Sequence, residues 1–80
     1  MRKEEVIIAI NQFLVEDFEI EEKLLVPESY ITKDLNIDSL DIVDITVRVN
    51  EVFGIKLTKE ELATVKTLGD FYELIYSHVK

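Results

Sequence analysis

The sequence predicts an all-α protein: a small four-helix bundle, three longer helices and one short, with a long first loop. Three observations predict it. Apolar residues recur at three- and four-residue steps from Lys3 to Phe18 and again from Leu68 onward. Helix-opening residues stand at Asp38, Thr58 and Thr67, each followed three residues later by an acid, at Asp41, Glu61 and Asp70. Gly54 stands where the central helix should stop. At 80 residues the chain is expected to form a single domain over 1–80. Its core is modest, so most apolar residues must contribute to it.

The first helix is expected over Lys3 to Phe18. Val6, Ile7, Ile10, Phe13, Leu14 and Phe18 make one stripe, and Glu4 and Glu5 fall in the first turn, where the helix dipole favours negative charge. Ile20 to Ile37 shows no sustained period. It holds Pro27, Ser29, Asp34 and Asn36, after an acid cluster at Glu19, Glu21 and Glu22. This predicts a long connection with room for one helical turn, pinned to the core by Leu24, Leu25, Val26, Tyr30 and Leu35. Connections of this length are often functional.

Asp38 to Phe53 carries two competing periods. The stretch from Ile45 to Asn50 alternates and is β-branched, which suits a strand. A helix explains more: an Asp38 cap, Asp41 in the capping-box position, Gly54 beyond the end, and a span of about 15 residues that is long for a strand. Its inner stripe would be Ile42, Ile45, Thr46, Val49, Val52 and Phe53. Leu40, Val43 and Val47 then share a displaced face, flanked by Asp41, Asp44 and Glu51. Such an acid-edged apolar strip suits a partner with apolar contacts and a basic rim, although scattered surface valines are also ordinary. Arg48 is placed to pair with Asp44 one turn earlier. A short helix follows from Thr58 to about Thr64. The last opens at Thr67 with a stripe of Leu68, Phe71, Tyr72, Ile75 and Val79; Tyr72 and Tyr76 read as packing residues with hydrated hydroxyls.

Composition narrows the chemistry. There is no cysteine, so disulfides, thiolate metal sites and a thiol nucleophile are excluded. A single histidine, His78, argues against a serine–histidine dyad or a histidine-rich metal site. Acids outnumber bases 17 to 9, for a net charge of -8. That balance opposes nucleic acid and anionic membranes and favours basic partners, though it also serves simply to keep a small protein in solution. No stretch approaches the roughly 20 apolar residues of a membrane span. Acids follow Arg2-Lys3 at once, unlike a signal peptide. A cytoplasmic protein is expected.

Three readings compete for Asp34 to Asp41. Asp34, Asn36 and Asp38 match the first alternate ligands of an EF-hand loop, but Ser39 replaces its glycine and Ile45 its bidentate glutamate. Asp38 or Ser39 can simply cap a helix. Alternatively Ser39 is modified: a hydroxyl in the first turn is exposed, and a phosphate ester there lies near free amides and the positive helix end. The sequence offers no general base for Ser39, so it is not a hydrolytic nucleophile.

The segment Asp34-Leu35-Asn36-Ile37-Asp38-Ser39-Leu40-Asp41 resembles the aspartate-serine-leucine motif of acyl carrier proteins. The resemblance extends to Val43-Asp44, to Glu51-Val52-Phe53-Gly54-Ile55, to Glu60-Glu61 and to Thr67-Leu68-Gly69-Asp70, over roughly residues 30 to 75. It implies that Ser39, flanked by Asp38 and Leu40, carries covalent 4′-phosphopantetheine derived from coenzyme A, whose thiol holds an acyl group as a thioester. It implies that Asp41, Val43, Asp44, Val47 and Glu51 meet partner enzymes. Those would be a phosphopantetheinyl transferase and acyl-transferring or acyl-modifying enzymes with basic docking patches, in fatty-acid or related biosynthesis. It further implies a non-enzymatic monomer with no nucleic acid or membrane partner, and an acyl cavity near Val49, Leu57, Leu62, Val65 and Phe71. Three positions depart from the family pattern. Asn36 stands for a common glycine, Arg48 interrupts the acidic surface, and Phe71 replaces a small residue near the cavity, which implies a shortened or reshaped pocket. A polyketide, aminoacyl or peptidyl carrier has the same design, and an unmodified acidic helical adaptor is the alternative from a different class.

Overall fold

A computed structural model describes residues 1–79, and among them the chain forms four α-helices and no strand. Helix α1 spans Lys3–Phe18 and buries Val6, Ile10, Phe13 and Leu14. It opens with the Arg2 amide donating to Glu5 Oε1 at 2.8 Å. It ends at Glu19, which takes a left-handed conformation (φ 55°) without being glycine. The amides of Glu19 and Ile20 both donate to the Leu14 carbonyl, and Ile20 tucks into the core. That pairing satisfies an orphan carbonyl and offsets the strain at Glu19.

The connection to the next helix contains one 3₁₀ turn, Glu22–Leu24. Its anchors differ in part from expectation. Leu35 is buried and Leu24 and Leu25 are half-buried, but Val26 and Tyr30 are exposed; Ile20, Ile31 and Ile37 take their places. The reason is backbone pairing across the molecule. Ile31 N donates to Lys66 O (3.0 Å), Leu68 N to Ser29 O (2.8 Å) and Gly69 N to Pro27 O (3.0 Å). Tyr30 and Thr67 form an isolated antiparallel bridge. This clasp sets which side chains turn inward, and alternation then sends Tyr30 outward between Ser29 and Ile31, which are both buried. Gly69 suits the approach: a Cβ there would crowd Pro27, lying 3.1 Å from both Pro27 Cβ and Pro27 O.

Helix α2 spans Ser39–Phe53 and buries Ile45 and Val49, with Ile42 and Phe53 partly buried against the core. Val52, expected in the inner stripe, is exposed. It lies in the last turn, and the five-residue helix that follows has no buried residue with which to cover it. Gly54 ends α2 at φ 71°, with its amide on Asn50 O at 2.8 Å. Helix α3 spans Lys59–Ala63 and is framed by a complete capping box between Thr58 and Glu61.

Helix α4 spans Leu68–Val79 and buries Leu68, Phe71, Tyr72 and Ile75. Asp70 Oδ2 accepts from the Lys66 and Thr67 amides, and Thr67 Oγ1 accepts from Asp70 N. The expectation of a hydrated Tyr72 hydroxyl is corrected: it is buried and donates to Asn11 Oδ1 on α1. Tyr76 is half-buried. Helix α1 packs on both α2 and α4, and a Lys3–Glu73 ion pair spans the α1–α4 seam.

Candidate functional site

The turn before α2 positions Ser39. Tyr30 O accepts from Asp34 N and Leu35 N, Asp34 Oδ2 accepts from Tyr30 N, and Ile37 N returns to Ile31 O. The chain reverses through Asn36 at φ 57°. Asparagine tolerates this left-handed conformation better than most residues. Asp38 follows as the N-cap: its Oδ1 accepts from Asp41 N at 2.9 Å, and its own amide donates to Asp41 Oδ2 at 3.3 Å. The Asp34 and Asp38 carboxylates are therefore committed to backbone amides.

Ser39 itself is the first residue within α2, not its cap. It is exposed, and among the described residues its hydroxyl makes no hydrogen bond. The Ser39 and Leu40 amides, with no partner in the preceding turn, face the positive helix end. The arrangement presents a free hydroxyl beside two free N–H groups, on backbone that the Asp38–Asp41 box holds rigid. A phosphate ester suits that place chemically.

Along α2, Leu40, Val43 and Val47 are 76%, 59% and 53% exposed, and Asp44 and Glu51 are exposed beside them. Asp41 is half-buried, because the capping box already holds it. The expected Arg48–Asp44 pair does not form. Arg48 reaches across to α1, with its Nε 2.6 Å from Asp17 Oδ2 and its Nη1 3.8 Å from Glu51 Oε1. The buried Nε–H is not aimed at an acceptor, so the Asp17 contact is coulombic rather than a hydrogen bond. A residue on a neighbouring helix has outcompeted the one-turn partner, and the Arg48 charge is answered on the α1 side of the apolar strip.

Beneath the site lies a mostly apolar cavity of about 240 Å³. Ile31, Leu35 and Ile37 of the first connection, Ile42 and Ile45 of α2, and Leu62, Val65 and Phe71 all line it. Leu62, Val65 and Phe71 were expected there; Val49 and Leu57 do not line it. Val49 is consumed by the core, with no exposed surface, and Leu57 packs on the core from the outside. The contribution of the connection was missed. Its signal was the spacing of Ile31, Leu35 and Ile37 within a segment that has no regular period.

Two carboxylates are shifted by structure. The Thr58 amide, and after it His78, hold Glu61 below the usual carboxylate range; His78 Nε2 lies 2.6 Å from Glu61 Oε2. The amides of Thr67 and Lys66 hold Asp70 below that range too. Burial pushes Tyr72 up, opposed by its bond to Asn11. None of these groups adjoins Ser39 in sequence, and none is bonded to it.

Comparison with known proteins closes the case. Residues 10–75 match the family described as the phosphopantetheine attachment site. The acyl carrier protein of Coprothermobacter proteolyticus is 34% identical over 79 residues, covering 99% of this chain and 96% of that protein. Acyl carrier protein 2 of Ralstonia nicotianae is 30% identical over 77 residues, or 96% of this chain and 95% of that one. The meromycolate extension acyl carrier protein of Mycobacterium leprae is 38% identical over 68 residues; the match covers 85% of this chain and 59% of that longer protein. The chain belongs to the acyl carrier protein family, whose members hold acyl groups as thioesters on covalently attached 4′-phosphopantetheine.

Proposed function

On that membership, we propose that residues 1–80 form one carrier domain whose attachment point is Ser39. The observation that carries this is the unengaged Ser39 hydroxyl at the start of α2, between Asp38 and Asp41 that cap one another. A phosphopantetheinyl transferase supplies the general base that the chain lacks. The Ser39 Oγ takes the phosphopantetheine half of coenzyme A in a new phosphodiester, and adenosine 3′,5′-bisphosphate leaves. When bound, the group supplies a terminal thiol on a long flexible arm.

Partner enzymes read Leu40, Val43 and Val47 through apolar contacts, and Asp41, Asp44 and Glu51 through basic residues. Asp38 and Leu40 flank the tether; Asp38 acts by holding the backbone. The cavity supports an acyl cargo sheltered between visits, in fatty-acid or related biosynthesis. The names of the relatives favour acyl over aminoacyl or peptidyl cargo. The domain works as a cytoplasmic monomer and shuttles between proteins rather than on membranes or nucleic acid; no helix among the described residues is long and apolar enough to cross a membrane.

Intact-mass measurement tests the tether. The apo protein, incubated with coenzyme A and a broad-specificity transferase, should gain one phosphopantetheine, and Ser39→Ala should gain none. An unmodified wild type, or equal gain in the variant, would return the chain to the class of acidic adaptors.

A further inference from the structure

We infer that Phe71 sets the length of acyl chain this carrier can shelter, an inference that rests on the carrier reading above. The walls of the cavity divide by burial. Tyr30, Thr32 and Lys66 are exposed and mark its mouth; Ile42, Leu62 and Val65 are half-buried around it. Ile31, Leu35, Ile37 and Ile45 are buried along its sides. Leu14, Leu68 and Phe71, at 1%, 1% and 4% exposure, are the buried walls that α1 and α4 contribute and form the far end.

That far end lies on the seam where α1 meets α4. The same seam carries Val6, Ile10 and Ile75, none with exposed surface, and is tied by the Tyr72–Asn11 hydrogen bond and the Lys3–Glu73 pair. A chain that ran past the floor would have to part this interface. It therefore stops there, and further methylenes stay near water. Taking about 30 Å³ for a water-sized group, and a methylene as close to that size, the cavity has room for roughly eight such groups. Phe71 carries the bulkiest of the three floor side chains. Shortening it deepens the cavity while leaving the mouth and the Ser39 turn untouched.

The test is a series of saturated acyl-phosphopantetheines loaded onto the full chain from acyl-coenzyme A. Equilibrium unfolding is measured at each length. In the wild type, the unfolding constant should fall by about fourfold per added methylene until the cavity is full, then level off at a medium chain. Phe71→Ala should move the plateau to longer chains, and Phe71→Leu should move it less far. If Phe71→Ala does not fold, Phe71→Leu decides. Val65→Trp, which plugs the mouth, should abolish the gain at every length. A plateau at the same length in Phe71→Leu and wild type overturns the inference, as does a gain that continues undiminished into the longest chains. Intact mass is recorded first. Absence of loading strikes down the carrier reading and this inference with it; a loaded protein whose plateau ignores position 71 strikes down this inference only.

Discussion

At the scale of single residues, the turn commits its carboxylates to backbone amides and leaves the Ser39 hydroxyl and the two amides beside it free. Asp38 and Asp41 satisfy each other's amides, Asp34 satisfies Tyr30, and the Ser39 hydroxyl is left over. The sequence showed this pairing through the acid three residues after the cap, because a capping box is local. It did not show Arg48 with Asp17, since that partner comes from another helix. Asp70 gives a prediction at this scale. Its carboxyl is held below the usual range by the Thr67 and Lys66 amides. A depressed folded value stabilises the fold above the unfolded value, near pH 4, and that stabilisation is lost as pH falls through the folded value. Glu61 has the same sign. Acid titration followed by circular dichroism should therefore show stability falling below about pH 4. Asp70→Asn should be less stable at neutral pH and should show a shallower acid limb. An unchanged limb would mean that Asp70 does not couple to folding.

At the scale of elements, α2 has two faces in different surroundings. Ile45 and Val49 belong to the core, while Leu40, Val43 and Val47 are held in water at a hydrophobic cost that a docking partner would relieve. Asp44 is the cleanest probe of this face, because Asp41 also caps the helix and its replacement would fray α2. Asp44→Lys should raise the transferase KM several-fold more than Glu22→Lys, which lies on the 3₁₀ turn, with the thermal midpoint nearly unchanged in both. Equal effects would assign the attraction to net charge. The helix boundaries were legible because caps and glycines act over three or four residues. The exposure of Val52 was not, because cover in the last turn depends on how much chain the following helix can lay over it.

At the scale of the whole molecule, α1 and α4 form the seam that backs the cavity, and the first connection closes its side. Tyr72 is the buried polar element of that seam, beside the exposed Lys3–Glu73 pair. Tyr72→Phe should cost about 1 kcal/mol in denaturant unfolding, because Asn11 Oδ1 loses its donor. A neutral result would mean that water reaches Asn11. By itself, the sequence determined the four helices, the caps that open the last three, the place of Ser39 at a helix start and the apolar strip beside it. All of these follow from residue spacing within single elements and from the motif that the spacing frames. Only the tertiary structure decided which residues of the aperiodic connection turn inward, that Ser29 and Pro27 clasp the start of α4, that Tyr72 is paired, and where the cavity ends. Those outcomes depend on contacts between segments tens of residues apart. No local period encodes such contacts, and packing chooses among them only once the helices have docked.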